Sequence, residues 1–183
     1  YEMGSTFKLL TAAQALEAGK ATLSTKFDAT TPIRIGRHTI SDFHALNRWL
    51  TLEEVLIHSS NVGAAKIAEL SGPAAQRDFF GRLGMLKKMS IEVAELGSPL
   101  APRRWSEVHM LTIAFGHGLA VTPMHLSNAI ASLTNGGVYR QATLLKQPGG
   151  DLAGGERVVS AKVSASIRWL MRQIVINGTG RNA

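Results

Sequence analysis

The sequence predicts a mainly α-helical fold. Apolar residues recur at helical spacing along much of the chain. Cap residues stand just before several of those runs. Extended pieces are few and short, and such pieces usually need a sheet to join. A chain of 183 residues is long enough for one domain with its own core.

Taken in order, the first helix runs from Ser5 to Ala18. Phe7, Leu9, Leu10, Ala13 and Leu16 make its apolar face, and Gly19 stops it. Residues 26–48 are mixed and read as loop with brief extended pieces around Ile33, Ile35, Thr39 and Ile40. Thr51-Leu52-Glu53-Glu54 is a capping-box pattern that opens a short helix to about Ile57. Val62 to Leu70 is helical again and ends near Gly72. Pro73 suits the first turn of a helix reaching Leu83, with Gly84 after it. Residues 97–104 read as loop, and Trp105 to Phe115 as helix. Thr122-Pro123 is a cap followed by a first-turn proline, and that helix closes on Asn135-Gly136-Gly137. Residues 146–156 are polar and glycine-rich, a surface loop. Ser160 caps a last helix whose face carries Val163, Ile167, Leu170, Met171 and Ile174.

Composition narrows the function classes. Apolar residues make up 45% and charged residues 18%, which is globular rather than disordered. No cysteine is present, which excludes a disulfide framework, a thiolate metal site and a cysteine nucleophile. No apolar run approaches the ~18 residues of a membrane span. The net charge is +7, yet the basic residues are scattered, with Lys87-Lys88 and Arg103-Arg104 the closest pairs. No nucleic-acid partner is expected from that pattern. A basic surface facing an acidic envelope polymer or a membrane fits the charge at least as well. The six histidines show no metal-ligand spacing, so no metal is expected. Gly116-His117-Gly118 lacks the strand and third glycine of a dinucleotide fingerprint, and no cofactor is expected. Phe79, Phe80, Trp105 and Trp169 read as core or subdomain-interface residues.

Two short stretches bear on chemistry. Ser5 and Lys8 stand three apart at a helix start and share a face. Serine is a good N-cap, so capping alone explains Ser5. It becomes a nucleophile only if a base takes its proton. A lysine amine is such a base only when neutral. From a reference pKa of about 10.4, neutrality near pH 7 costs about 4 kcal/mol. Burial and a helix N-terminus both lower that cost, and helix N–H groups also suit an oxyanion. The second stretch is His58-Ser59-Ser60-Asn61-Val62, in a turn between helices. A hydroxyl and an amide at i and i+2 can relay a proton and hold a substrate amide. Asn61 would equally serve as N-cap for the helix that follows.

Together the two stretches form the opening of the penicilloyl-serine transferase pattern. YEMGSTFK resembles the active-site opening of class B penicillin-binding proteins, the peptidoglycan D,D-transpeptidases. LIHSSNVGAAKIA resembles their S-x-N segment, 54 residues on. FGHGLAVTPMHLSNAIASLTNGG and the closing NGTGRNA resemble later parts of the same domain. PIRIGRHTISDFH most resembles the septal, cell-division branch of Gram-negative bacteria. The resemblance spans essentially the whole chain. It implies the helical part of the α/β penicillin-binding and serine β-lactamase-like fold.

The resemblance also implies roles. Ser5 would be the acylated nucleophile and Lys8 its general base. Ser59 would relay the proton to the leaving group. Asn61 would hydrogen-bond the donor peptide, and the Ser5 N–H would be one oxyanion donor. Peptidoglycan stem peptides would be the substrates, β-lactams the inhibitors, and division-machinery membrane proteins the partners. The location implied is the periplasmic face of the inner membrane, with an anchor upstream.

One departure from the family pattern stands out. The third motif, Lys-Thr/Ser-Gly, is absent, and neither Gly178-Thr179-Gly180 nor Gly19-Lys20-Ala21 replaces it. Residues 1–183 therefore read as a partial transpeptidase domain, starting just before S-x-x-K and stopping just before the expected strand. Two alternatives remain open: a serine β-lactamase or D,D-carboxypeptidase, and a non-catalytic β-lactam sensor or scaffold.

Overall fold

Around one mainly apolar helix, the rest of the chain is wrapped in a computed structural model that describes residues 1–146 and 154–182. That helix, α1 (Phe7–Glu17), follows a 3-10 turn over Gly4–Thr6. Phe7, Leu10, Ala12 and Ala13 have no exposed surface, and Lys8, Thr11 and Gln14 are buried with them. A helix buried on most sides carries mainly apolar or small residues, and FKLLTAAQALE does so apart from Lys8, Gln14 and the exposed Glu17. Each fully buried large side chain contributes about 1.5–3 kcal/mol.

The neighbours are chosen by size. The second helix, α2 (Leu52–Ile57), is followed after a short turn by α3 (Asn61–Glu69). In α3, Gly63, Ala64, Ala65 and Ala68 are buried against α1 and α2. A Cβ on Gly63 would collide with the Val55 side chain, so glycine sets the approach of α2 to α3. Next come α4 (Gly72–Arg82) and α5 (Glu107–Ile113), packed on each other, with α5 also on α3. The last two are α6 (Pro123–Thr134) and α7 (Ala161–Asn177); α7 packs on α1, α2 and α6. Three of the expected caps hold. Thr51 and Thr122 close capping boxes with Glu54 and His125, and Ser160 accepts from Val163 N–H.

Among the described residues, strands appear as three antiparallel pairs of short pieces. β1 (Lys26–Asp28) pairs with β4 (Trp49–Thr51), in register Lys26 to Thr51. β2 (Ile33–Ile35) pairs with β3 (His38–Ile40) as a tight hairpin. β5 (Val138–Tyr139) pairs with β6 (Glu156–Arg157). Residues 26–48 are thus loop with brief extended pieces, as expected, and the pieces pair. In the expected loop 146–156, residues 147–153 lie outside the described residues and Glu156 is in β6.

Two other details differ from expectation. The helix predicted from Trp105 begins at Glu107, because Ser106 caps it in a box with His109. Trp105 instead donates its indole N–H to Gln76 Oε1 at 2.8 Å. Trp169 is 40% exposed, on the outer side of α7 with Val175 and Ile176. Among the described residues, no helix is long and apolar enough to cross a membrane.

Candidate active site

Ser5 sits in the 3-10 turn, exposed, and its side chain caps nothing. It faces two other polar groups instead. Lys8 Nζ donates to Ser5 Oγ at 3.0 Å, to Ser59 Oγ at 2.9 Å and to the Ser59 carbonyl at 2.6 Å. Ser59 Oγ donates to Ser5 Oγ at 3.0 Å. Two hydroxyls and one amine therefore form a closed triangle. The two segments that supply it are brought together by the packing of α1 on α3.

Lys8 is 2% exposed, and burial pushes its amine down to about 8 from 10.5. Asp42 opposes the shift, since its carboxylate favours the ammonium. A pKa near 8 leaves about 1.4 kcal/mol to reach the neutral amine at pH 7, against the roughly 4 required in water. Burial supplies most of the difference. Once neutral, Nζ gains a lone pair, and the Ser5 hydroxyl can donate to it.

The turn that presents Ser59 is held from outside. Ser59 has φ +54°, a left-handed conformation unusual for a residue with a Cβ. Ser60, not Asn61, is the N-cap of α3: its Oγ accepts from Gly63 N–H at 2.8 Å. Asn61 is the first residue of the helix, and its Nδ2 donates to the Ser41 carbonyl at 3.0 Å. Asp42 accepts from Ser60 Oγ at 2.7 Å and from Val62 N–H at 2.9 Å. One carboxylate thus grips both sides of Asn61, at a helix N-terminus that favours negative charge.

The Ser5 turn is held from the other side. Gly4 N–H donates to the Gly116 carbonyl, and a Cβ on Gly116 (φ +92°) would collide with the Gly4 backbone. Tyr1 and Val121 exchange backbone hydrogen bonds, and Glu2 bridges to Ala120. Glu2 also accepts from Gly118 N–H at 2.7 Å and faces His117 Nδ1 at 3.1 Å; both contacts hold its carboxyl below the usual range.

Two hollows flank the triangle. One, of about 210 Å³, is lined by Ser5, Lys8, Ser59, Leu56, Ile174 and Thr179. The other, of about 370 Å³, lies on the Asn61 side between the β2–β3 hairpin, α5 and His117. All four residues singled out in the sequence border one hollow or the other. Among the described residues, no cluster of three or more His, Asp or Glu could hold a metal.

The arrangement has close relatives. The family described as the penicillin-binding protein transpeptidase domain matches residues 1–183. The chain belongs to the penicillin-binding protein transpeptidase family. It is 42% identical over 180 residues to the probable peptidoglycan D,D-transpeptidase FtsI of Caulobacter vibrioides, covering 98% of this chain and 31% of that protein. It is 32% identical over 182 residues to the FtsI of Escherichia coli strain K12, covering 98% and 30%. The transpeptidase domain of Burkholderia pseudomallei penicillin-binding protein 3 superposes with a TM-score of 0.93 at 25% identity, covering 100% of this chain and 56% of that one. The fold is the penicillin-binding transpeptidase fold, represented by its helical part. The chain spans about a third of the length of those curated relatives.

Within this penicillin-binding domain, sequence reasoning missed Asp42, Gly116 and Glu2. Asp42 lies in the stretch PIRIGRHTISDFH, which was read for its branch and not for chemistry. No local signal marks it, since its partners are 18 and 20 residues away. Thr179 comes next to Ser5 across the small hollow, although Gly178-Thr179-Gly180 lacks the lysine of the third motif.

Proposed function

We propose that this chain is part of a septal peptidoglycan D,D-transpeptidase that acts through Ser5 and is acylated by β-lactams. The triangle of Ser5 Oγ, Lys8 Nζ and Ser59 Oγ carries the reading, with every side at 3.0 Å or less. Neutral Lys8 takes the Ser5 proton as Oγ attacks the donor carbonyl carbon. The Ser5 N–H stabilises the resulting oxyanion, and Ser59 passes a proton to the leaving amine nitrogen. Collapse expels that amine and leaves an ester on Ser5. An acceptor amine then attacks the ester and restores the hydroxyl. Asn61 orients the donor amide. The relatives' names support peptidoglycan as the substrate and D,D-transpeptidation as the reaction; stem peptides, the division branch and a membrane-anchored, periplasmic location belong to the same proposal and rest on the resemblance of the motifs.

The reading includes a completing segment outside residues 1–183. It rests on the missing Lys-Thr/Ser-Gly tripeptide and on the 56% coverage of the solved transpeptidase domain.

The test is covalent labelling of the full-length protein with a fluorescent penicillin. Ser5→Ala is expected to abolish the adduct. An adduct of undiminished yield on Ser5→Ala would overturn the assignment. Rapid loss of label from the native protein would point to a β-lactamase instead.

A further inference from the structure

Away from the catalytic hollow, α4 borders a wide groove of about 950 Å³. Pro73 and Ala74 stand at one end, Trp105 and Leu86 give it apolar walls, and Gly81 contributes no side chain to its floor. A Cβ on Gly81 would meet only Leu86, at 3.9 Å, so glycine keeps open a space that the fold does not otherwise fill. Trp105 is a fixed wall. Its indole is tied to Gln76, which in turn donates to the Met110 carbonyl, and its ring leans on Phe80.

The charge of the groove is its second property. Arg77, Arg103 and Arg104 line it, are exposed, and make no ion pair or hydrogen bond among the described residues. Arg82 is otherwise engaged, bonded to Glu156 and to the carbonyls of Arg157 and Val158. In the sequence these arginines look scattered, but the fold gathers them along one concavity. Unpaired guanidiniums beside an anchored indole and an apolar wall match carboxylates interspersed with apolar side chains.

We propose that this groove is a docking site for an acidic, extended segment of a partner protein. The concave shape and apolar walls favour a peptide over a flat lipid surface. Asp78 and Glu156 also line the groove and would repel a uniformly anionic polymer, whereas a peptide can place neutral residues opposite them.

The test uses the full-length protein and fluorescence anisotropy. The probe is a fluorescein-labelled peptide of alternating glutamate and serine with a central leucine. A lysine-for-glutamate peptide and vesicles of phosphatidylglycerol serve as comparisons. Saturable binding of the acidic peptide is expected. It should weaken at least ~10-fold in Arg77→Glu/Arg103→Glu/Arg104→Glu, and also as salt rises from about 0.05 to about 0.5 M. Circular dichroism checks that the variant is folded. If it is not, Arg103→Gln/Arg104→Gln, confined to a loop, is expected to weaken binding in the same direction. Gly81→Glu should weaken it as well. No binding, equal binding of the lysine peptide, or affinity unchanged in the folded variants would overturn the proposal. Vesicle binding that depends on the same arginines while the peptide fails would replace it with a membrane contact.

Discussion

Lys8 Nζ donates to the carbonyl oxygen of Ser59 at 2.6 Å, the shortest of its three bonds. This bond fixes the amine and the left-handed turn together, so the two serines cannot separate without stranding a buried cation. An arginine keeps the charge but brings a planar fork in place of a compact ammonium, and it does not deprotonate near neutral pH. Lys8→Arg is expected to slow acylation by at least the ~10² typical of losing a general base. Stopped-flow acylation by penicillin checks it, and a rate near that of the native protein would remove Lys8 from the mechanism.

The lowered pKa of Lys8 sets a pH profile. The neutral amine is the reactive form and becomes the major one only above about 8. Acylation should therefore rise about tenfold per pH unit below that point and level off above it. Stability follows the same sign. Between about 8 and 10.5 the unfolded chain holds a proton that the folded one has lost, so stability climbs with pH across that window, by up to about 3 kcal/mol. A rate profile flat from about pH 6 to 9 would contradict this account.

Asp42 acts on both the turn and the base. Asp42→Asn removes a negative charge that favours the Lys8 ammonium. The midpoint of the acylation profile should move to lower pH. The variant also weakens the grip on Ser60 and Val62, at a cost of about 1–3 kcal/mol by denaturant melting. A purely structural role would lower stability and leave the midpoint where it was.

Gly116 and Gly136 make a matched pair, with φ +92° and +97°. Alanine is strained at both. Only at Gly116 would the new Cβ meet the Gly4 backbone; at Gly136 it meets nothing within 4 Å. Both variants should lose about 1–2 kcal/mol of stability. Gly116→Ala should lose more, together with most of its penicillin labelling. Equal labelling in the two would show that the Gly4–Gly116 contact does not position Ser5.

The elements that were legible in the sequence are those whose signals are local. Thr51 with Glu54, Thr122 with Pro123, and Ser160 each announce a helix within four residues, and each helix forms there. The apolar face Val163, Ile167 and Leu170 is buried as its spacing implies. Ser5, Lys8, Ser59 and Asn61 were found through motif spacing. What stayed hidden depends on distant partners. Lys26 meets Thr51, 25 positions further on, and Asp42 reaches forward to Ser60. Asn61 has good cap chemistry, but Ser60 holds the extended backbone that a cap needs, and Ser41 takes the Asn61 amide. Trp105 has helical spacing, but its bond to Gln76 draws it out of α5.

The pairing of Tyr1 and Glu2 with residues 118–121 also bears on the order of assembly. Tyr1 and Glu2 must wait for partners made about 120 positions later. Closing so long a loop carries an entropic cost that local helix formation does not. The helices α1 to α5 have sequence enough to dock before that closure. The turn bearing Ser5 is thus synthesised before its partners and secured late. During biosynthesis, covalent capture by penicillin would then mark the end of folding, and a nascent chain stalled before Gly118 has been made should remain unlabelled however helical it has become.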